Sequence, residues 1–410
     1  MKIFAGFLIP TLITATFLFH TPPVRAQITP GQLGGGNLNT ITTAVPFLLI
    51  SPDARAGAMG EVGAATLPDV NSIHWNGAKL AFAEDNLGIG INYNPWLRNL
   101  VPDISLSYVS FYKRLDNMQT IGGSLRYFSL GDITFTDITG QQIATFKPNE
   151  FAVDGVYSRK LGDKFSMGIG LRYIYSNLAA GLDQNQQTIP GQSFAGDLSA
   201  YYRTPATVMG KDGEIAFGAS ITNLGAKIAY SESGNTNFLP TNLRLGTTAT
   251  AQIDAFNRLS VSLDLNKLLV PTNPIYARDT SGRLIPDPQG GYVIEKGEDP
   301  NKKSVLEGVF SSFGDAPDGS LEELREINLS LGLEYWYNNV FSLRGGYFYE
   351  HPTKGGRQFV TMGAGLHYQV FHINFAYLVP TTRLQGGHPL ENTLRFGLNF
   401  DLAAFAAGGE

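Results

Sequence analysis

The sequence predicts an all-β protein: a transmembrane antiparallel β-barrel of about fourteen strands with an N-terminal plug or hatch segment. Three observations predict it: a start laid out like a secretory signal, period-two alternation over segments of roughly ten residues from Asn86 onward, and connections that alternate between short and long.

Lys2 opens a short positive start, Ile3 to Phe19 is mostly apolar, Pro22 and Pro23 break any helix, and Val24-Arg25-Ala26 offers small residues before Gln27. Residues 1–26 are therefore assigned to a cleaved signal peptide. A membrane anchor is the alternative, but its apolar run is short of the about 20 residues that span a bilayer core. There is no Cys, which excludes a lipoprotein anchor and disulfides. No later stretch is apolar enough for a spanning helix, so contact with outer-membrane lipids falls to strands. The 47 Gly, 18 Tyr and 26 Phe, with only 16% charged residues, agree with that, and a net charge of -5 without a basic run excludes a nucleic-acid partner.

Strand residues separate into two faces. Leu87, Ile89, Ile91 and Tyr93 alternate with Gly88, Gly90 and Asn92; Phe165, Met167, Ile169, Leu171 and Tyr173 alternate with Ser166, Gly168, Gly170 and Arg172. The same pattern runs from Ile327 to Tyr335 and from Leu394 to Leu402, and further strands are placed near 102–112, 119–130, 150–161, 193–204, 214–223, 241–251, 258–266, 341–350, 357–368 and 370–378. Arg126, Asp154, Arg172, Asp197, Arg244, Asp264, Glu334, Arg344 and Arg395 all fall on the small or polar face. A charge on a lipid face near mid-membrane costs about 2–4 kcal/mol, so this face is expected to line the lumen. A soluble β-sandwich would bury the apolar face instead. The signal and the strand-end residues Tyr93, Tyr175, Tyr201, Tyr337, Tyr349 and Tyr377, suited to interfacial girdles, favour the membrane.

Inner turns are expected near Arg114–Met118, Gly162–Lys164, Pro205–Gly213, Asp254–Asn257, Asn338–Val340 and Gln369. Outer loops are expected near 95–101, 131–149, 177–192, 224–240, 267–326, 351–356 and 379–390, which leaves both chain ends in the periplasm.

Residues 27–85 lack strand alternation and precede a barrel domain at 86–410. A disordered periplasmic tail is one reading. The apolar Val45, Phe47, Leu48, Leu49 and Ile50, together with Trp75 and few charges, favour a plug, because fourteen strands enclose more space than side chains fill. Lumen-facing glycines at 88, 90, 168, 170, 218, 246 and 397 would admit it, with Asp53 and Arg55 pairing with lumen charges. The large loop 267–326 begins Pro-rich and then carries two capping-box patterns, at Ser304/Glu307 and Ser320/Glu323, with Val305, Leu306, Val309, Phe310 and Phe313 on one face. A helix over the barrel mouth and a partner-binding face both fit.

No enzyme is expected. The Gly-x-Gly pairs at 168–170 and 363–365 lie inside strands with no following helix, and the six His have no metal-ligand spacing, so neither cofactor nor metal is assigned. His367 and His372 flank a tight turn on the lumen face, where bonds to wall or plug are expected. No Ser/His pair sits at the lipid-facing rim, so catalytic residues are none.

The run Ser51-Pro52-Asp53-Ala54-Arg55, Gly57-Ala58-Met59-Gly60, Gly63-Ala64-Ala65-Thr66, Asp69 and Ser72-Ile73-His74-Trp75-Asn76, followed by Ala78-Lys79-Leu80-Ala81, resembles the hatch of the PorV (LptO) family within the FadL-like superfamily. Asn94-Pro95-Trp96-Leu97 and Arg395-Phe396-Gly397-Leu398 extend the likeness, and the sister family PorQ shares much of it. Pro52, Asp53, Arg55, Gly57, Gly60, Asp69, Trp75 and Asn76 are the hatch residues so implied. FadL-type hatches often have Asn-Pro-Ala where this chain has Asn76-Gly77-Ala78, which weakens inference of a fatty-acid channel. The resemblance implies an outer-membrane component of the type IX secretion system of Bacteroidetes. Such a component binds the C-terminal signal domain of secreted cargo at the translocon barrel and passes it to a surface attachment complex containing a sortase. The outer loops would make the contacts, through Trp96, Leu97, Leu100 and Val101 in the first and Leu306, Val309, Phe310 and Phe313 in the fifth. A transporter of hydrophobic small molecules and a lipid-modifying enzyme are the alternatives.

Overall fold

The computed structural model describes residues 38–98, 101, 103–136, 139–178, 189–231, 236–288, 290–382 and 388–402. The signal assigned to 1–26, the run Gly34-Gly35-Gly36 and Leu100 lie outside the described residues. Fourteen strands close into one barrel, each paired with its sequence neighbours and the first with the last. They are β1 Leu87–Pro95, β2 Ser105–Arg114, β3 Gln119–Ser129, β4 Asn149–Lys160, β5 Phe165–Asn177, β6 Gly191–Val208, β7 Lys211–Gly225, β8 Asn242–Gln252, β9 Asn257–Leu268, β10 Ile327–Tyr337, β11 Phe341–Tyr349, β12 Gln358–Tyr368, β13 Phe371–Pro380 and β14 Thr393–Asp401. The closing pair runs antiparallel from Gly88↔Asp401 to Tyr93↔Phe396.

Alternation sets the two faces. In β5, Met167, Ile169 and Leu171 are exposed while Ser166, Gly168, Gly170 and Arg172 are buried inside. Leu171 is 77% exposed and Phe194 70%, a belt that water would penalise and hydrocarbon accepts. Among the expected girdle residues, Tyr201 belongs elsewhere: it is buried and meets the Phe82 ring edge-on at 5.7 Å. It shares odd-number parity with Asp197 and Ser199, which places it in the lumen.

Two local features depart from the simple pattern. Pro205–Gly213 is not a turn, because β6 and β7 pair as far as Val208↔Lys211 and only Met209 and Gly210 turn. Both have positive φ, 53° and 74°, the geometry a two-residue hairpin loop needs. Pro205 is tolerated because β5 stops pairing at Phe165↔Tyr202. The projecting segment is then an edge, where a missing N–H costs nothing. Between Gly196 and Leu198 the register slips. Asn223, at φ 61°, is the bulged residue opposite Asp197.

The long connections carry two small hairpins, Ile133–Thr136 with Gln142–Phe146 and Ile275–Tyr276 with Ile294–Lys296. The described residues form four short α-helices, in chain order α1 Ala54–Gly57, α2 Ser72–Trp75, α3 Val305–Ser311 and α4 Ser320–Arg325. The capping box expected at Ser304/Glu307 forms. The one expected at Ser320/Glu323 does not, because Gly319 takes the N-cap position. Glu323 instead accepts the Ala316 N–H and the Lys267 ammonium.

Candidate functional site

The barrel wall and the segment from Asp53 to Phe82 meet on every strand. An irregular chain inside a barrel presents backbone N–H and C=O groups that water no longer serves, so the wall must supply partners. Lumen hydroxyls and one carboxylate do so. Ser158 and Ser166 donate to the Ala78 carbonyl at 3.1 and 2.7 Å, Ser199 accepts from the Ala78 N–H at 3.0 Å, and Ser220 donates to the Trp75 carbonyl at 3.0 Å. Thr361 accepts the Gly60 N–H at 2.8 Å, and Asp264 accepts the N–H groups of Gly63 and Ala64 at 2.7 and 2.8 Å. Asn92 and Ser110 both donate to the Asn71 side chain. Arg126, Arg244, Glu334 and Arg395 supply contacts from four further strands, and Ala376 packs on Ala54 and Ala58. Gly346 completes the ring: a Cβ there would stand 2.2 Å from the Gly60 nitrogen. The small, hydroxylated lumen face is thus the counterpart of an irregular chain.

The hatch residues have distinct tasks. Arg55 binds Glu334 through two parallel bonds of 2.9 and 2.8 Å and reaches Asp69 at 2.9 Å. Among the described residues Asp53 makes no direct ion pair with a lumen charge, contrary to expectation. Its carboxylate caps α1 through the Ala56 N–H at 2.8 Å and accepts the Trp75 indole N–H at 2.6 Å. The Arg244 guanidinium lies 4.7 Å from the Trp75 ring centre. Pro52 accepts the Asn94 amide at 2.7 Å, and Asn76 spans from the Ala64 carbonyl to that of Ala200. Gly57 leaves room for the Arg395 side chain, and Gly60 has φ +66° with its face against the backbone of Tyr347 and Leu331. Of the glycines expected to admit the segment, those at 90, 168, 218, 246 and 397 do touch it, while Gly88 faces Tyr112 and Gly170 faces Asp197 and Val156.

The lumen charges pair among themselves and with the segment. Arg172 bonds Asp154, Asn223 and Asp197, and Ser124 donates to Asp154 at 2.5 Å. Arg344 donates to Glu334 at 2.8 Å, and Arg395 to Glu61 at 2.6 Å. Arg126 donates to the Leu48 carbonyl at 2.7 Å and to the His74 ring at 2.6 Å. The tasks of Asn71, His74, Lys79 and Asn223 have no signature in the sequence, because the partner of each lies on another part of the chain. His367 and His372 stack on each other with ring centres 3.7 Å apart, and His372 sits 2.6 Å from Asp401.

Towards the long-loop end, Val45, Phe47 and Leu48 pack on Leu106, Phe128, Ala152, Ile174 and Ala195 of the wall. Burying Phe47 and Leu48 contributes about 1.5–3 kcal/mol each. A cavity of about 350 Å³ at the short-turn end includes Asp69, Arg258, Trp336 and Asp401 in its lining. Another of about 400 Å³ at the long-loop end includes Ile41, Leu49, Glu350 and Arg357. The two share no lining residue.

The expected loop surface is only partly exposed. Trp96 and Leu97 are half-buried against Phe348, Phe359, Leu378 and Leu390, and Val309 is buried, because α3 leans on Phe238 and Pro271 through Gly308. Leu306, Phe310 and Phe313 are exposed at 60, 74 and 54%.

The closed sheet, its apolar outer belt and its charged, hydroxyl-lined interior define a transmembrane β-barrel. A family model described as Type IX secretion system protein PorV matches residues 35–275, and the chain belongs to that family. No curated protein matches it in sequence. It is similar to the toluene transporter TodX of Pseudomonas putida, at 14% identity and TM-score 0.45 over 89% of this chain and 98% of that one. It is also similar to a FadL homologue of Pseudomonas aeruginosa, at 11% identity and TM-score 0.44 over 88% and 99%.

Proposed function

We propose that this barrel sits in the outer membrane of a Gram-negative bacterium, is not an enzyme, and binds secreted cargo by its C-terminal signal domain through its outer loops. In this reading it receives cargo at the translocon barrel and passes it to the sortase-containing surface attachment complex, while residues 44–83 act as a fixed plug. Family membership supports the secretion role. The observation that carries the binding role is the exposed Leu306 and Phe310 on α3, with the exposed Phe313 just after the helix end. The transporter alternative needs an apolar route through the lumen, where Phe47, Leu48 and the charged layer stand.

Replacing Leu306, Phe310 and Phe313 together by Ser tests it. The barrel should stay heat-modifiable on gels while co-purified cargo falls at least about tenfold, since each buried apolar side chain is worth about 1.5–3 kcal/mol. Gene deletion should trap cargo in the periplasm and leave growth on long-chain fatty acids unchanged. Normal secretion with lost fatty-acid uptake would overturn the proposal.

A further inference from the structure

Helix α4 is amphipathic in the reverse sense. A helix on a soluble protein turns its leucines inward and its carboxylates to water. Here Glu322 and Glu326 are buried while Leu321 and Leu324 are 67 and 64% exposed. Buried cations hold the acidic side down. Lys354 binds Glu322 at 2.5 Å and Glu326 at 3.0 Å, and Lys267 binds Glu326 at 2.6 Å and Glu323 at 3.0 Å. Thr272 donates to Glu326 at 2.6 Å, and the Asp318 N–H is given to Glu322 at 2.8 Å. This network fixes the helix rotation, so the exposed leucines are an imposed orientation.

The helix also has a fixed place on the rim. It ends at Arg325, with only Glu326 between it and the start of β10 at Ile327. The lipid-facing residues of β10 are the odd-numbered ones, with Leu331 and Leu333 exposed, and Leu329 lies opposite Tyr349 near the long-loop end of β11. Leu321 and Leu324 thus precede, on the same chain, an apolar row that faces hydrocarbon. At 100° per residue Arg325 stands about 40° from Leu321, on the leucine side, while Glu322, Glu323 and Glu326 point the other way. A surface offering leucines and one cation, with its carboxylates turned inward, matches acyl chains capped by phosphate.

We infer that α4 is an interfacial helix: its Leu321–Leu324 face rests in the outer leaflet, continuing the lipid-facing belt of β10 above the barrel rim. Contact with lipid offsets the cost of exposing two leucines and ties the large loop to the bilayer surface. The helix α3 stripe is a separate face, buried on its other side against Phe238 and Pro271.

The chain has no Cys, so single cysteines carry an environment-sensitive nitrobenzoxadiazole label without background. Leu321→Cys, Leu324→Cys, the lipid-face reference Leu331→Cys and the aqueous reference Glu307→Cys are placed in full-length protein. The protein is reconstituted into dioleoylphosphatidylcholine vesicles with and without doxyl-labelled phosphatidylcholine. Heat-modifiability confirms each barrel before measurement. Doxyl quenching at positions 321 and 324 should match that at 331 and exceed that at 307, with iodide quenching in the reverse order. Quenching at 321 and 324 by iodide but not by doxyl lipid would overturn the inference and give this face to a protein partner.

Discussion

Arg55 of the inner segment and Glu334 of β10 form a two-bond guanidinium–carboxylate pair, at 2.9 and 2.8 Å, inside the barrel. Glu334 also accepts from Arg344 at 2.8 Å, and Arg55 also binds Asp69. The wall and the segment therefore share one four-charge network, and its members are unequal. Arg55→Met leaves Glu334 with Arg344. Glu334→Gln leaves Arg55 with Asp69 alone and deprives the buried Arg344 guanidinium of its carboxylate.

From this asymmetry, Glu334→Gln should be the costlier change. Breaking a buried pair by removing one partner costs about 3–5 kcal/mol, and Arg55→Met is expected at the lower end of that range. The check is the urea midpoint of each variant in lipid or detergent, read from the heat-modifiable band. Equal midpoints for the two variants would contradict the shared-network account.

Close approach of backbone to wall makes a sharper test. A Cβ on Gly218 would lie 1.9 Å from the Ala64 carbonyl oxygen, whereas one on Gly155 would meet nothing within 4 Å. Gly218→Ala should therefore cost more than about 1–3 kcal/mol or push the segment out, as overpacking does. Gly155→Ala, within a strand, should be neutral or slightly stabilising. Limited proteolysis of residues 53–82 separates them: only the 218 variant should become cleavable there with the barrel still folded.

Orientation follows from connection lengths. Gln141 lies in the hairpin loop between β3 and β4, and Lys164 in the short turn between β4 and β5. A tag at Gln141 should be labelled on intact cells and one at Lys164 should not. Labelling at Lys164 alone would reverse the orientation.

Strands and their lumen charges were legible because hydrocarbon imposes a rule on every second residue, and a single Arg172 or Asp264 on the wrong face would break it. The rule also exposes its own misreading. Tyr201 was read as a girdle residue from its place near a strand end, although its odd number puts it with Ser199 inside. The Asn223 bulge left no such trace, since one extra residue in a strand has no compositional signature. Pro205 and Gly213 looked like a turn because both punctuate chains, but at a hairpin edge neither breaks pairing. The tasks of Asn71, His74 and Lys79 depend on how the segment seats against the wall. That register is fixed by distant partners such as Asn92, Arg126 and the Gly63 carbonyl. Val309 was misread for a related reason: helix periodicity shows that an apolar stripe exists, whereas the loop that covers part of it, with Phe238, comes from elsewhere in the chain.

The final prediction concerns conduction. Two cavities, of about 350 and 400 Å³, open towards opposite ends and share no lining residue. Between them lie the bonds from Ser158, Ser166, Ser199 and Ser220 to the segment, the Arg55–Glu334 pair, and the Phe47–Phe128 stack with ring centres 6.1 Å apart. Ions crossing this layer would have to displace satisfied buried hydrogen bonds, each costing about 1–3 kcal/mol to leave unmade. Wild-type protein in a planar bilayer should therefore give no stepwise conductance in salt. Removing residues 44–82 should produce discrete steps, because fourteen strands enclose more space than wall side chains fill. Arg55→Met, which loosens one anchor while the others remain, should stay silent. Steps from the wild type with the segment protected from protease would mean that a route runs beside it, and the fixed-plug reading would fall.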